Sequence, residues 1–243
     1  LGFSNFHAFA ARYEKTVSVG EFKKGVGDRN LEELQKEISK YSLFVKKEDC
    51  LDLPLKIYET RDIEMSEKQE KLYTEMLTWL IASFSETKES DSTTEAKAMI
   101  AQMMKLRQIA SGFIRNVDGE DVPIPGANNK SLQLKDDLED MVDNKVIIWR
   151  SFIYDDKMIE LALRDLGWDF IKIAGGQSIE ERNENVNKFN NDDSVRACIA
   201  APQSAGEGLD LLGSQTFRCD VSIFWDPDWS LGPRLQAEDR NHR

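Results

Sequence analysis

Histidine and cysteine are scarce in this sequence. Its 243 residues include two histidines, His7 and His242, and three cysteines, Cys50, Cys198 and Cys219, with no C-x-x-C spacing. A zinc site of the Cys/His type is thereby excluded, and an odd number of scattered cysteines fits a reducing compartment rather than a disulfide framework. No apolar run is long enough to span a bilayer, and Leu1–Lys15 lacks the unbroken apolar core of a secretory signal. These absences point to an intracellular protein with no membrane partner. The chain starts without Met, as a piece of a longer protein would. Positive charge is also in deficit, with 32 Lys and Arg against 44 Asp and Glu and a net charge of −12. A surface of that balance does not capture nucleic acid by broad attraction. Any such contact is expected to be local, made by loops and helix starts.

The first half reads as helical. Phe3, Phe6, Phe9 and Tyr13 recur at helical spacing. Asn30 followed by Glu33 predicts a helix start, with the helix running to about Lys40. Pro54–Met65 reads as extended. Ser66 with Gln69 is a capping-box signature, followed by an apolar face of Leu72, Tyr73, Met76, Leu77 and Leu80. The polar stretch Glu86–Glu95 predicts a loop, and Met99, Met103, Leu106 and Ile109 mark another helix. Asn116–Asn129, with two prolines and two glycines, reads as a linker and places the main boundary. Residues 1–116 are then a helical lead-in, 117–130 the linker and 131–243 a separate lobe.

In that lobe the rhythm changes. Val146–Trp149, Phe170–Ala174, Ala197–Ala201 and Val221–Trp225 are apolar runs of strand length, and helical stretches at Asp156–Leu166 and Ile179–Phe189 separate the first three. Strands alternating with helices predict an α/β fold with a parallel sheet and right-handed crossovers. Ligands of such sheets gather outside the carboxyl ends of the strands, so the segments after each strand hold the candidate chemistry.

Four segments qualify. Gly175 and Gly176 allow close backbone approach, and Ser178 can cap a helix whose free amides hold a phosphate oxygen; read alone, this is equally a tight turn with a cap. Ser204-Ala205-Gly206-Glu207-Gly208-Leu209-Asp210 is rich in small residues, and Asp210 can accept from a hydroxyl; a glycine-rich loop without ligand is the alternative. Trp225-Asp226-Pro227-Asp228-Trp229 follows the last strand. If Gln236–Arg243 is helical, Gln236, Asp239, Arg240 and Arg243 share a face, and two guanidiniums there suit a triphosphate. A solvated face of ion pairs is the alternative.

Taken in order, Lys145–Phe152, Gly175–Phe189, Ala200–Leu211, Trp225–Trp229 and Gln236–Arg243 resemble the successive motifs of the second RecA-like lobe of Swi/Snf-type ATPases. The closing Gln-Ala-x-Asp-Arg-x-x-Arg is the most specific. Leu53-Pro54-Leu55-Lys56, Gln69 with Leu72-Tyr73, and Leu106-Arg107-Gln108-Ile109 resemble the family's approach to that lobe. Two departures stand out. Phe44 and Val45 replace a pair of arginines before Leu-Pro-x-Lys, and Ala201-Pro202 replaces the usual Ser-Thr, which leaves one hydroxyl-to-phosphate contact without its donor.

The resemblance implies a RecA-like sheet flanked by helices, of the P-loop NTPase second-lobe type. It implies a DNA-dependent ATPase that uses ATP with Mg²⁺, has duplex DNA as partner, and works as a monomer with an N-terminal lobe on the same polypeptide. Arg240 and Arg243 would be arginine fingers, with Gln236 and Asp239 shaping the cleft. Gly206, Gly208 and Asp210 would face the nucleotide. Gly175, Gly176, Ser178, Arg150, Ser151 and Ser204 would face DNA phosphates. The sequence contains no G-x-x-x-x-G-K-[ST] loop and no Asp-Glu-x-His box, so the triphosphate and metal would be held mainly by the first lobe, and this chain alone is expected not to turn over. The protein would be cytoplasmic in a prokaryote or virus, the source that compactness favours, and nuclear in a eukaryote. Two readings compete: a second lobe of another superfamily-two DNA or RNA helicase, and a lobe-like protein-interaction module without catalysis.

Overall fold

The computed structural model describes residues 2–19, 22–43, 45, 47–86, 92–205, 208–226 and 229–242. The chain forms two compact units, Leu1–Leu55 and Lys56–Arg243.

In the first unit, helix α1 (Phe6–Tyr13) starts where Asn5 Oδ1 accepts from the Ala8 amide at 2.9 Å. Phe3, just before the helix, packs edge to face on Phe9 and on Tyr13, with centroids 5.7 Å apart in both pairs. Strands β1 (Glu14–Val19) and β2 (Phe22–Asp28) then pair antiparallel. They interrupt the helical lead-in that the sequence predicted, as β-branched Thr16, Val17 and Val19 favour an extended chain. Helices α2 (Leu31–Ile38) and α3 (Lys47–Cys50) follow. Helix α2 begins where Asn30 predicted, but without a capping box. Asn30 is left-handed at φ 53° and gives its side chain to the Arg12 carbonyl, while Glu33 is bound by Arg12 at 2.7 Å.

The second unit opens with an extended segment. Helix α4 (Glu67–Glu86) then starts at a completed capping box: the Ser66 amide donates to Gln69 Oε1 at 3.2 Å and the Gln69 amide to Ser66 Oγ at 3.4 Å. Helix α5 (Ser92–Ala110) packs against α4, and Gln69 Nε2 donates to the Ile109 carbonyl at 3.0 Å. In the stretch expected as a loop, residues 87–91 lie outside the described residues, and α5 takes in its end. The end of the expected helical lead-in forms a strand, β3 (Phe113–Arg115), which pairs antiparallel with β4 (Asp121–Pro123) of the expected linker. Phe113 is buried and stacks on Tyr154 at 4.4 Å.

The rest is a layered α/β lobe. In chain order it contains α6 (Asn129–Glu139), β5 (Val146–Trp149), α7 (Asp155–Asp165), β6 (Asp169–Ile173), α8 (Ile179–Asn191), β7 (Val195–Ala200), α9 (Pro202–Ala205), β8 (Val221–Phe224) and α10 (Leu231–Glu238). Four strands form a parallel sheet in the order β6-β7-β5-β8. Alternate residues point to opposite faces, and both faces are covered. Ile147, Trp149, Ile173 and Cys198 pack with Phe189 of α8 and Ala237 of α10; Val146, Ile148 and Ile199 pack with Leu134 and Leu138 of α6 and Ile159 and Leu163 of α7. Burial on both faces explains why these strands read as continuous apolar runs. Lys145, fully buried before β5, donates to the carbonyls of Phe189 and Asp192, each at 2.6 Å.

Candidate site at the carboxyl ends of the strands

After β6 the chain turns through Gly175 and Gly176, the latter at φ +87°, where an L side chain would be strained. Gln177 braces this turn by accepting from the Ala174 amide at 3.0 Å and donating to the Lys172 carbonyl at 3.1 Å. Ser178 caps α8, its Oγ accepting from the Glu181 amide at 3.1 Å. The turn and the cap are exposed. The loop after β7 lies beside them: a Cβ added to Gly175 would sit 3.8 Å from Ser204 Oγ. The sequence-predicted residues Gly175, Gly176, Ser178 and Ser204 therefore form one patch.

Further along the same connection, Gly208 has φ +70° and open space where a side chain would be. Asp210 is exposed, and its carbonyl accepts from Asn190 Nδ2 at 2.7 Å. Asn190 Oδ1 takes the amides of Leu212 and Gly213 at 3.1 and 3.2 Å, so one amide side chain of α8 holds the whole bend. Gly206 lies outside the described residues.

Helix α10 ends at Glu238, and Asp239 is its C-cap. The helical condition on which Gln236, Asp239, Arg240 and Arg243 would share a face is not met past Glu238. Gln236 is exposed on the helix, Arg240 lies in the turn beyond it, and Arg243 is outside the described residues. Arg240 is aimed by contact instead, its Nη1 donating to the Leu209 carbonyl at 3.2 Å. The next residue, Asn241, accepts from Ser222 Oγ of β8 at 3.1 Å. The arginine turn is thus held against the loop after β7 and against β8.

Arg150 and Ser151, predicted to face DNA, are engaged inside the lobe. Arg150 is 6% exposed, and its Nε donates to Asp156 Oδ1 at 2.6 Å. Ser151 Oγ accepts from Arg107 at 2.9 Å, and the Ser151 amide donates to Asp226 Oδ1 at 3.0 Å. Carboxylates of α7 and of the segment after β8 take up the groups around these two residues.

Three features escaped sequence reasoning. Asp155 is fully buried in the first turn of α7; burial and then the charge of Asp226 push its carboxyl up to about 7, against Lys130 and the Phe152 amide. Lys130, held down chiefly by burial, donates to the Trp225 carbonyl at 3.1 Å. The Asp-Asp pair at a helix start carried no signal beyond an ordinary acidic first turn. The third feature is the contact of Lys56 and Tyr58 with the end of α10: Lys56 Nζ donates to Asp239 Oδ1 at 2.9 Å and Tyr58 Oη to Glu238 Oε2 at 2.9 Å. Burial lowers the Lys56 ammonium, but the hydrogen bond and charge of Asp239 carry it upward overall.

Among the described residues there is no group of three or more His, Cys, Asp and Glu side chains that could hold a metal ion. The open space at Gly208 and the nearby guanidinium of Arg240 suit the phosphate end of a nucleotide.

Residues 129–243 match the helicase conserved C-terminal domain. The chain is similar in sequence to an uncharacterized ATP-dependent helicase of Mycoplasma genitalium, MG018, at 27% identity over 226 residues, covering 92% of this chain and 21% of that protein. The chain therefore spans about a fifth of that relative. Among solved structures, the C-terminal part of the Fun30 ATPase domain superposes with a TM-score of 0.61 at 17% identity, covering 79% of this chain and 81% of that one. The Sulfolobus solfataricus SWI2/SNF2 ATPase core in complex with dsDNA gives a TM-score of 0.57 at 22% identity, covering 80% and 41%. Residues 129–243 are thus similar to the helicase conserved C-terminal domain, and their fold is like that of the C-terminal part of Swi/Snf-type ATPase cores.

Proposed function

We propose that this chain is the second lobe of an ATP-driven translocase on duplex DNA, and that it works only with an N-terminal lobe carrying the phosphate loop and the metal ligands. The observation that carries this reading is the hydrogen bond from Arg240 to the Leu209 carbonyl, which joins the arginine turn to the loop containing Gly208 and Asp210. Hydrolysis spreads negative charge over the transferred phosphoryl group, and a guanidinium fixed in advance stabilises that charge without reorganising. Arg240 is the residue proposed to do this, with Arg243 as its companion and Gln236 and Asp239 shaping the cleft.

The patch of Gly175, Gly176, Ser178 and Ser204 supports a grip on DNA phosphates. Exposed amides at a helix start bind an anion despite an acidic chain. Contacts of this kind carry no base information, so movement would be indifferent to sequence. ATP binding would close the two lobes and hydrolysis reopen them, stepping the grip along the duplex. The likeness to the Mycoplasma genitalium helicase covers the helical lead-in as well as the lobe, which favours this reading over an RNA helicase of another group.

The test is DNA-stimulated phosphate release by the full two-lobed protein and by this chain alone. Arg240→Ala in the full protein is expected to slow hydrolysis on the order of 100-fold or more while DNA binding persists. The chain alone is expected to release no phosphate above background. A near-normal rate in Arg240→Ala would retire the finger role, whereas no nucleotide-dependent behaviour in the full two-lobed protein would favour a non-catalytic interaction module.

A further inference from the structure

The segment from Lys56 to Met65 has no helix or strand of its own, yet it is fastened at several points. Lys56 Nζ reaches Asp239 at 2.9 Å and Glu238 at 3.7 Å. Tyr58 Oη donates to Glu238 Oε2 at 2.9 Å, and Arg234 Nε donates to Glu238 Oε1 at 3.0 Å. Arg61 Nε donates to Asp137 of α6 at 3.1 Å, and the Glu64 carbonyl accepts from Asn129 Nδ2 at 2.8 Å. One extended length of backbone is therefore tied both to α6 and to the end of α10, just before Arg240.

From these contacts we infer that residues 56–65 form a strap that positions Arg240, with Lys56 and Tyr58 as its positioning residues; the inference rests on the arginine role proposed above. Glu238 is only 9% exposed and is the last helical residue of α10. A buried carboxylate needs partners, and two of its three come from the strap. Asp239, the C-cap, receives the third strap contact. Lys56 holds the two residues immediately before Arg240 and Tyr58 holds the first of them, and so together they set where the backbone leaves the helix. The other side of the turn is set by Leu209 and Ser222. The strap precedes α4 and α5 in the chain, so movement of the helical lead-in would reach the arginine turn through it.

A guanidinium displaced by about 1 Å from its productive position costs on the order of 10- to 100-fold in rate, although nothing in the site has been removed. In the full-length two-lobed protein, Lys56→Met is therefore expected to lower the DNA-stimulated kcat by roughly that factor, with KM for ATP and DNA affinity nearly unchanged. Tyr58→Phe, which removes a single oxygen, should lower it less and keeps the test open if Lys56→Met does not fold. Lys56→Arg, which keeps a cation at the same carboxylates, should recover most of the rate; a role confined to packing would not discriminate in this way. Hydrogen exchange of the amides of Asp239, Arg240 and Asn241 should quicken in Lys56→Met and return to normal in Lys56→Arg. Arg240→Ala is run alongside. A slow Arg240→Ala beside Lys56→Met and Tyr58→Phe of normal rate and exchange would overturn the strap alone. A normal rate in Arg240→Ala would overturn the arginine role, and the strap's catalytic meaning with it.

Discussion

Arg107 of α5 and Asp226, 119 residues apart in sequence, meet at 2.7 Å with side chains only 16% and 6% exposed. The same guanidinium donates to Ser151 and lies 5.3 Å from the ring centroids of both Phe152 and Trp229. The pair pins α5 to the segment after β8. Arg107→Met keeps most of the apolar contact but leaves the Asp226 carboxylate buried without its cation. It is expected to cost about 3 kcal/mol or more in urea unfolding, while Arg107→Met with Asp226→Asn should recover a large part of that loss. Equal midpoints for the single and double variants would contradict this account.

Asp155 makes a prediction about pH. Its carboxyl lies near 3.8 ordinarily and at about 7 in the fold. Between those values the native state holds more protons than the unfolded one, so this group's contribution to stability is greatest below about pH 4 and declines as pH rises through about 7. Asp155→Asn removes that dependence. The variant and the parent should melt at similar temperatures near pH 4, and the variant should melt higher at pH 8. Parallel melting curves at the two pH values would show that the buried carboxyl is not neutral in the fold.

Ser178 separates capping from DNA contact. Ser178→Ala removes the acceptor for the Glu181 amide and should cost about 1 kcal/mol. Ser178→Asp retains a good cap and should preserve stability, yet it places a negative charge where a phosphate is proposed to sit. In the full protein it is expected to weaken DNA binding and leave basal hydrolysis in place. Unchanged DNA affinity across a salt titration would reduce the turn to a structural role.

Gly213 tests the bend that Asn190 holds. It adopts φ +80°, and a Cβ there would lie 2.4 Å from the Phe217 carbonyl oxygen and 2.7 Å from the Cys219 amide nitrogen. Both obstacles are backbone and cannot rotate away. Gly213→Ala should therefore lose more than about 1 kcal/mol in chemical denaturation. Full retention of stability would mean that the backbone there yields more readily than close packing allows.

The four parallel strands were legible because burial on both faces writes them as short apolar runs: Val146–Trp149 was placed to the residue, and the others to within one or two. Capping chemistry was legible at Ser66 with Gln69 and at Ser178, where the whole interaction spans three residues. The same logic gave the right start and the wrong bonding at Asn30, because Arg12, from outside the local window, takes Glu33. Strand β4 read as linker because the prolines and glycines around it outweighed a three-residue strand, and its partner β3 read as part of the helical lead-in. At the site, glycine loops and cap were visible in the sequence, but the ties of Arg150 to Asp156 and of Lys56 to Asp239 were not. The second spans 183 residues, and no local pattern encodes a partner so distant.

The register of the sheet also sets an order of assembly. β5 sits between β7 and β8, with Val146 opposite Ala197 on one side and Val221 on the other. Bringing β8 home closes a longer loop than bringing β7, and loop closure grows costlier with length. As the chain emerges from the ribosome, β5 can pair with β7 while its other edge still waits for residues 221–224. Until then a fully apolar strand shows an open edge, the kind of surface on which nascent chains stick to one another. Docking of β8 ends that hazard, and α10 with the arginine turn can settle only after it. An unfinished sheet therefore lacks the arginine turn as well, and a chaperone that shields the edge of β5 would be guarding the assembly of the site.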